Sequence, residues 1–283
     1  MDSALEQELQ IFAENIRLAS LRAVAAAGGG HLGGIFSMAE ALAVLYGDVM
    51  RVNPRNPAAP ERDKLVLSKG HCGPGLFAAL ALKGFFPLED LLTLNQNGTL
   101  FPSHCDRQKT PGVDMTTGSL GQGASSAAGI ALADQLARRA YRTFLILGDG
   151  ELDEGQVWEM ALFARQRKLR NLVALVDLNG QQLDGDTRDI CAGVANAGAM
   201  FASFGWNMLA VDGHSVREIH AALQPAAGVP MQPTAIILKT IKGRGWSRLE
   251  GKPKVHHSVV DEAQLREAEA EITRRIASLQ AAV

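Results

Sequence analysis

YRTFLILGDGELDEGQVWE, residues 141–159, and LVALVDLNGQQLDG, residues 172–185, decide the fold. Phe144, Leu145, Ile146 and Leu147 form a short apolar run that stops at Gly148-Asp149-Gly150. An apolar run of this length closed by glycine predicts a buried parallel strand. Residues 154–168 carry helical patterning, and residues 172–176 form the next apolar run. A strand–helix–strand unit follows, with Asp149 after the first strand and Asn179 after the second. Neighbouring parallel strands bring their carboxyl ends together, so both side chains are expected in the crevice where such sheets bind ligands.

Asp149 offers a carboxylate oxygen and Asn179 an amide oxygen. Both suit Mg2+, which takes one or two protein oxygens and shares the rest of its octahedron with phosphate and water. Gly148 and Gly150 leave space for a phosphate at the backbone, and Gly150 can present a bare N–H at a helix entrance. A plain strand-to-helix turn with Asp149 as helix cap fits the same residues, and spacing alone leaves both readings open.

The rest of the chain extends the α/β pattern. Leu5, Leu9, Phe12, Ile16, Ala19 and Ala23 line one face of a first helix that stops at Gly28-Gly29-Gly30. Ser37 and Glu40 have capping-box spacing, which predicts a second helix running through Val49. Pro54, Pro57 and Pro60 mark a loop, residues 64–67 a strand, and residues 77–83 a helix. Residues 95–117 read as a long loop carrying His104, and a small-residue helix spans 124–137. Strands are expected at 206–211 and 234–238 with a helix from Ser215 between them, and a last helix carries Leu265, Ala268, Ile272, Ile276 and Leu279. The glycines of TTGSLGQG (116–123) follow no strand and make a poor dinucleotide fingerprint, and no Walker motif is present. The expected architecture is a three-layer α/β/α fold on a mostly parallel sheet, with residues 1–283 forming one domain.

Bulk properties narrow the function. The 283 residues are 47% hydrophobic and 20% charged, which suits a globular protein. A net charge of −2 gives no electrostatic case for nucleic acid or an anionic membrane. No apolar run approaches the ~20 residues of a membrane span, and the N-terminus has no signal-peptide pattern. Cys72, Cys105 and Cys191 are odd in number and widely spaced, which predicts reduced thiols in a cytoplasmic protein.

Five histidines, His31, His71, His104, His256 and His257, follow glycine or fall in predicted loops. If these loops share the carboxyl edge of the sheet, the imidazoles converge on the Asp149–Asn179 crevice. Imidazoles there can transfer protons at hydroxyls and stabilise charge on a carbonyl oxygen. The dipeptides His71-Cys72 and His104-Cys105 also raise zinc and Cys–His nucleophile readings, but adjacent residues make poor ligand pairs and poor nucleophile–base pairs.

Gly148-Asp149-Gly150 with Asn179 one strand–helix–strand step later resembles the metal–diphosphate motif of thiamine-diphosphate enzymes. GDGELDEGQVWE followed by KLRNLVALVDLNGQQLDG is more specifically similar to transketolase. The resemblance covers nearly the whole chain and matches the N-terminal, diphosphate-binding part of a full-length transketolase.

That resemblance implies roles. SKGH (68–71) and PSHCD (102–106) would place His71 and His104 at the sugar and cofactor, and GGGHLGG (28–34) would place His31 at the sugar. TTGSLGQG would hold the cofactor through Gly118, Ser119 and Leu120. Asp149, Asn179 and the carbonyl of Gln181 would hold Mg2+ (or Ca2+ or Mn2+), and Gly150 would donate to the diphosphate. KGRG (242–245) and the later His256 would lie by diphosphate and sugar through Lys242 and His256; His257 stands where the family has glycine. Glu154 would be the interface glutamate linking two cofactor sites.

The implied protein is the thiamine-diphosphate-binding subunit of a two-component transketolase, a transferase of carbohydrate metabolism acting on sugar phosphates. A second subunit would carry the pyrimidine-binding and C-terminal domains in an α2β2 hetero-oligomer, since the chain ends at Val283 after one amphipathic helix. The alternatives are a subunit of a thiamine-dependent 2-oxo-acid dehydrogenase and a non-catalytic diphosphate-binding assembly subunit. The histidine set favours the sugar enzyme, because an oxo acid lacks the hydroxyls that imidazoles would bind.

Overall fold

The structure, a computed structural model, describes residues 1–224 and 232–281. Its centre is a five-stranded sheet of β1 (Lys64–Leu67), β2 (Thr143–Gly148), β3 (Leu172–Leu178), β4 (Asn207–Asp212) and β5 (Thr234–Lys239). The order is β1-β2-β3-β5-β4, and every pairing is parallel.

Helices cover both faces. On one side lie α1 (Ser3–Ala26), α2 (Leu32–Ser37), α3 (Ala39–Val44) and α4 (Gly73–Leu82). On the other lie α5 (Gln122–Leu136) and α6 (Gly155–Gln166). After the short α7 (Thr187–Ile190), α8 (Ala197–Ser203) joins the second layer, while α9 (Val216–Leu223) and α10 (Glu262–Gln280) return to the first.

Strand periodicity builds the two cores. Phe144, Ile146, Leu175, Ile236 and Leu238 pack into the first layer. Leu145, Leu147, Ala174, Val176 and Ile237 pack into the second. Alternate residues of a strand face opposite sides, so strands buried on both faces must be apolar throughout. β4 lies at an edge, and its residues alternate between half-buried and exposed. Each fully buried aliphatic side chain contributes roughly 1.5–3 kcal/mol. The expected three-layer fold with a parallel sheet is the one observed.

Several local expectations change. Ser37 makes no capping box: its hydroxyl donates to the Gly34 carbonyl and, at 2.5 Å, to the Asp177 carboxylate. The helix expected from the Ser37 cap through Val49 is α-helical only over α3, residues 45–49 widen into a π turn, and an unexpected short helix, α2, precedes it. Ser37 is captured by a buried carboxylate from the sheet, a tertiary partner that local spacing cannot reveal. α4 begins at Gly73, earlier than expected, because Pro74 suits the first helical turn. A 3-10 turn, Gly150–Asp153, precedes α6, which delays its start to Gly155.

Candidate functional site

Register sets the frame of the site. Gly148 pairs with Asp177 and Leu178 with Lys239, so residues 149, 179 and 240–242 leave the sheet side by side. Ser68-Lys69-Gly70-His71 leaves the end of β1, whose Leu67 pairs with Ile146. A cleft of about 490 Å³ opens over these strand ends, with His31, His71, His104, Asp149, Asn179 and Lys242 on its walls.

The five imidazoles meet. The His31 ring centroid lies 5.1 Å from those of His71, His256 and His257, and 6.2 Å from that of His104. His71 and His256 are 5.0 Å apart. Backbone pairing of Gly30 with Ser258 makes this possible: the Gly30 N–H donates to Ser258 O at 3.0 Å and the Ser258 N–H to Gly30 O at 2.8 Å. A Cβ on Gly33 would stand 2.5 Å from Val255 O, so the 255–257 segment sits directly on the glycine backbone. Gly118 has φ +156°, and a Cβ there would meet the His104 ring at 3.2 Å.

Burial keeps four of them, His31, His71, His104 and His256, neutral. Burial, then the neighbouring Lys69, lowers the pKa of His71 to about 2. Burial, then His257, lowers that of His31 to about 4, and burial with Lys242 lowers that of His256 to about 4. Burial also lowers the pKa of His104. The Lys242 ammonium lies 3.4 Å from His256 Nδ1, and as a donor it leaves the imidazole proton on Nε2. Neutral imidazoles both accept and donate a proton, the property needed beside sugar hydroxyls.

Below them lies a charged floor. Lys69 donates to the Gly34 carbonyl at 3.0 Å and pairs with Asp177. Thr240 and Ser37 also donate to Asp177. Burial opposes the charges of this pair, but Asp177 raises the Lys69 pKa above the lysine range and Lys69 lowers that of Asp177. Asp149 is 3% exposed, accepts from Thr187 Oγ1 at 3.0 Å and has no salt-bridge partner among the described residues. Burial, then the nearby Asp177, raises its pKa to about 6.

The donor set fits a divalent cation carrying a diphosphate. Asp149 brings one carboxylate, Asn179 an amide oxygen and Gln181 a carbonyl. Asn179 Oδ1 accepts from Gln181 N at 3.1 Å, and Gln181 O accepts from Lys242 Nζ at 3.0 Å. Among the described residues no group of three His, Cys, Asp or Glu side chains is placed to hold a metal ion. Mg2+ prefers such a sparse set completed by phosphate oxygens. Around it, Lys242 and the partnerless, buried Gln182 Nε2 are donors suited to an anion, while the Gly150 N–H donates at 3.1 Å to Oδ1 of Asp149, which caps the turn that follows. The Cys72 and Cys105 thiols are buried, which raises their pKa to about 11 and about 12 and leaves them protonated and unreactive.

One of the expected cofactor residues, Ser119, lies off the cleft. It is exposed, although its neighbours Gly118 and Leu120 line the cleft. Glu154 is exposed at the cleft rim. The buried glutamate is Glu151, which sequence reasoning missed. It is 1% exposed and accepts from Ser68 Oγ, from Gly121 N at 2.9 Å and from Gly148 N at 3.3 Å. Lys69, Asp177 and Thr187 were missed too. A charged residue inside the apolar run LVALVDL was the available signal for Asp177. A larger cleft of about 580 Å³, by residues 57–62 and 107–114, has much of its charge tied up in pairs with Asp114 and Asp134.

Comparisons agree with this geometry. Residues 9–276 match the family model for the transketolase thiamine diphosphate binding domain. The chain is 48% identical over 267 residues to the 6-deoxy-6-sulfo-D-fructose transketolase subunit SqwG of Clostridium sp. (strain MSTE9), covering 94% of this chain and 97% of that one. It is 35% identical over 274 residues to an apulose-4-phosphate transketolase subunit of Phocaeicola vulgatus, covering 97% of each. Human transketolase is 41% identical over 253 residues, but the match spans 40% of its length. The crystal structure of Campylobacter jejuni transketolase superposes with a TM-score of 0.86 at 32% identity, covering 96% of this chain and 43% of that one.

Proposed function

The chain belongs to the transketolase family, and from that premise we propose that it is the diphosphate-binding subunit of a two-component, cytoplasmic transketolase. It transfers a two-carbon ketol unit from a ketose phosphate to an aldose phosphate. The observation that carries this reading is the joining of five imidazoles to the Asp149–Asn179 strand ends in one cleft. The relatives that match along almost their whole length are named as subunits, which supports a partner and argues against the oxo-acid and non-catalytic alternatives.

In this reading residues 1–283 form one thiamine-diphosphate domain. Asp149, Asn179 and the Gln181 carbonyl hold Mg2+, and Gly150, Lys242 and the Gly118–Leu120 turn hold the cofactor. Bound thiamine diphosphate supplies the thiazolium that stabilises the two-carbon carbanion. His71, His104, His31 and His256 bind and orient the sugar hydroxyls. Being neutral, His71 and His256 can each donate a hydrogen bond from one ring nitrogen and accept one at the other, which suits them to hold sugar hydroxyls. Glu154 at the rim faces the partner subunit, which completes the site and shields it from water.

One relative is named for a sulfonated ketose and another for a sugar phosphate. The substrate class is therefore a ketose with a terminal anion, phosphate first and sulfonate second. Ketol transfer by the chain mixed with its partner, across phosphate and sulfonate ketoses, tests the reading. Thiamine diphosphate and Mg2+ binding without transfer from any of them would refute it.

A further inference from the structure

Six side-chain N or O atoms are buried without a hydrogen-bond partner among the described residues, and of the residues that carry them Gln182, through its Nε2, is the one that lines the cleft. The Gln182 side chain lies across Gly150: its Cγ, Cβ and Cδ stand 3.4, 3.5 and 3.6 Å from where a Cβ on Gly150 would be. Its backbone is tethered, since Gln182 N donates to Gly185 O at 2.8 Å and the preceding Gln181 bridges to Asp186. A tethered amide donor without an acceptor destabilises the fold unless a ligand supplies one.

The surroundings define that ligand. Gly150 N and the Lys242 ammonium belong to the same cleft wall, and an amide N–H cannot bind a cation. The missing acceptor is an anionic oxygen close to Gly150. We propose that Gln182 Nε2 donates to a diphosphate oxygen of the cofactor, making Gln182 a ligand beside Gly150; this rests on the function proposed above. A side chain binding the diphosphate from the segment after Asn179 would couple metal and anion binding through one loop, since Gln181 and Gln182 are adjacent.

The test compares the full-length wild type with Gln182→Leu and Asp149→Ala, each assembled with the partner subunit and titrated calorimetrically with thiamine diphosphate in excess MgCl2. The cofactor-free melting temperature of each is also measured. Gln182→Leu is expected to weaken binding about tenfold, the effect of one charge-assisted hydrogen bond. Because it removes a partnerless donor, it should leave the cofactor-free melting temperature equal or higher. Gln182→Met, also without a donor, repeats the comparison should the leucine variant fail to fold. Binding within twofold of wild type overturns the proposal, as does weaker binding with a matching fall in the cofactor-free melting temperature, which marks a structural role. A wild type that does not bind the cofactor overturns the proposed function as well. Binding abolished by Asp149→Ala but untouched by Gln182→Leu overturns this inference alone.

Discussion

Asp149 is the most consequential single residue. Its folded pKa of about 6 lies above the ordinary 3.8 because of burial, with Asp177 adding to the rise. A raised carboxyl favours the protonated fold, a contribution fully present below the unfolded value and lost as pH rises through about 6. Above that pH the buried carboxylate costs stability until a cation neutralises it. Metal binding must displace the proton, so cofactor affinity should fall roughly tenfold per pH unit below the folded pKa. Calorimetry at pH 5 and 7.5 checks this. Asp149→Asn should stabilise the cofactor-free chain, flatten that pH dependence and weaken cofactor binding at least tenfold, about 1.4 kcal/mol. Unchanged affinity would remove Asp149 from the metal site. His71→Ala and His104→Ala should each lower turnover of the assembled enzyme by roughly 10²-fold while cofactor still binds. The turnover profile should show no histidine inflection near pH 6.5, since burial holds these imidazoles neutral. Parallel loss of binding and turnover would move both histidines to the cofactor.

At the scale of elements, the site depends on three segments docked on one another. The glycine-rich turn with the first residues of α2, the turn after β5 and the 255–258 segment are joined by Gly243 N to Gly33 O at 2.9 Å and by the Gly30–Ser258 pair. Gly33→Ala would set a methyl 2.5 Å from Val255 O, a backbone atom with little freedom to yield. The expected cost is about 1–3 kcal/mol. His256 and His257 should shift away from His31, so turnover should fall more than cofactor affinity. Thermal denaturation and calorimetry on Gly33→Ala check this, and a wild-type melting temperature would show the docking to be soft. Gly123 does comparable work for α5, where a Cβ would lie 2.8 Å from the Ser68 Cα.

For the whole molecule, apolar side chains remain on the surface near the cleft. Leu183 is 66% exposed, Val259 70% and Ile190 47%. Exposed apolar groups around a functional cleft mark an interaction surface. We expect the purified chain to self-associate, to bind cofactor weakly and to show no ketol transfer. Adding the partner that carries the pyrimidine-binding domain should give an α2β2 assembly and restore turnover. Light scattering and a coupled transfer assay on the mixture check both points. Robust transfer by the chain alone, free of any co-purifying protein, would refute the two-subunit reading.

The apolar runs at 144–147, 172–176 and 234–238, each closed by polar or glycine residues, determined a parallel sheet from sequence alone. Local alternation and strand-length runs carry that information without any tertiary context. The motifs around Asp149, Asn179 and the histidines also named the chemistry and the family. The sequence could not reveal which distant groups share a charge. Lys69 and Asp177 are 108 positions apart, and they pair only because β1 and β3 flank β2 in register. Nor could it distinguish Glu151 from Glu154, three residues along one turn: one is buried and accepts three hydrogen bonds and the other faces solvent. The capture of Ser37 by Asp177, the neutrality of the imidazoles and the raised pKa of Asp149 follow from burial and from neighbours on other strands. Propensity and periodicity act over a few residues, whereas desolvation and Coulomb forces act through space. Only the packed sheet edge, by fixing those neighbours, decided the electrostatics of the site.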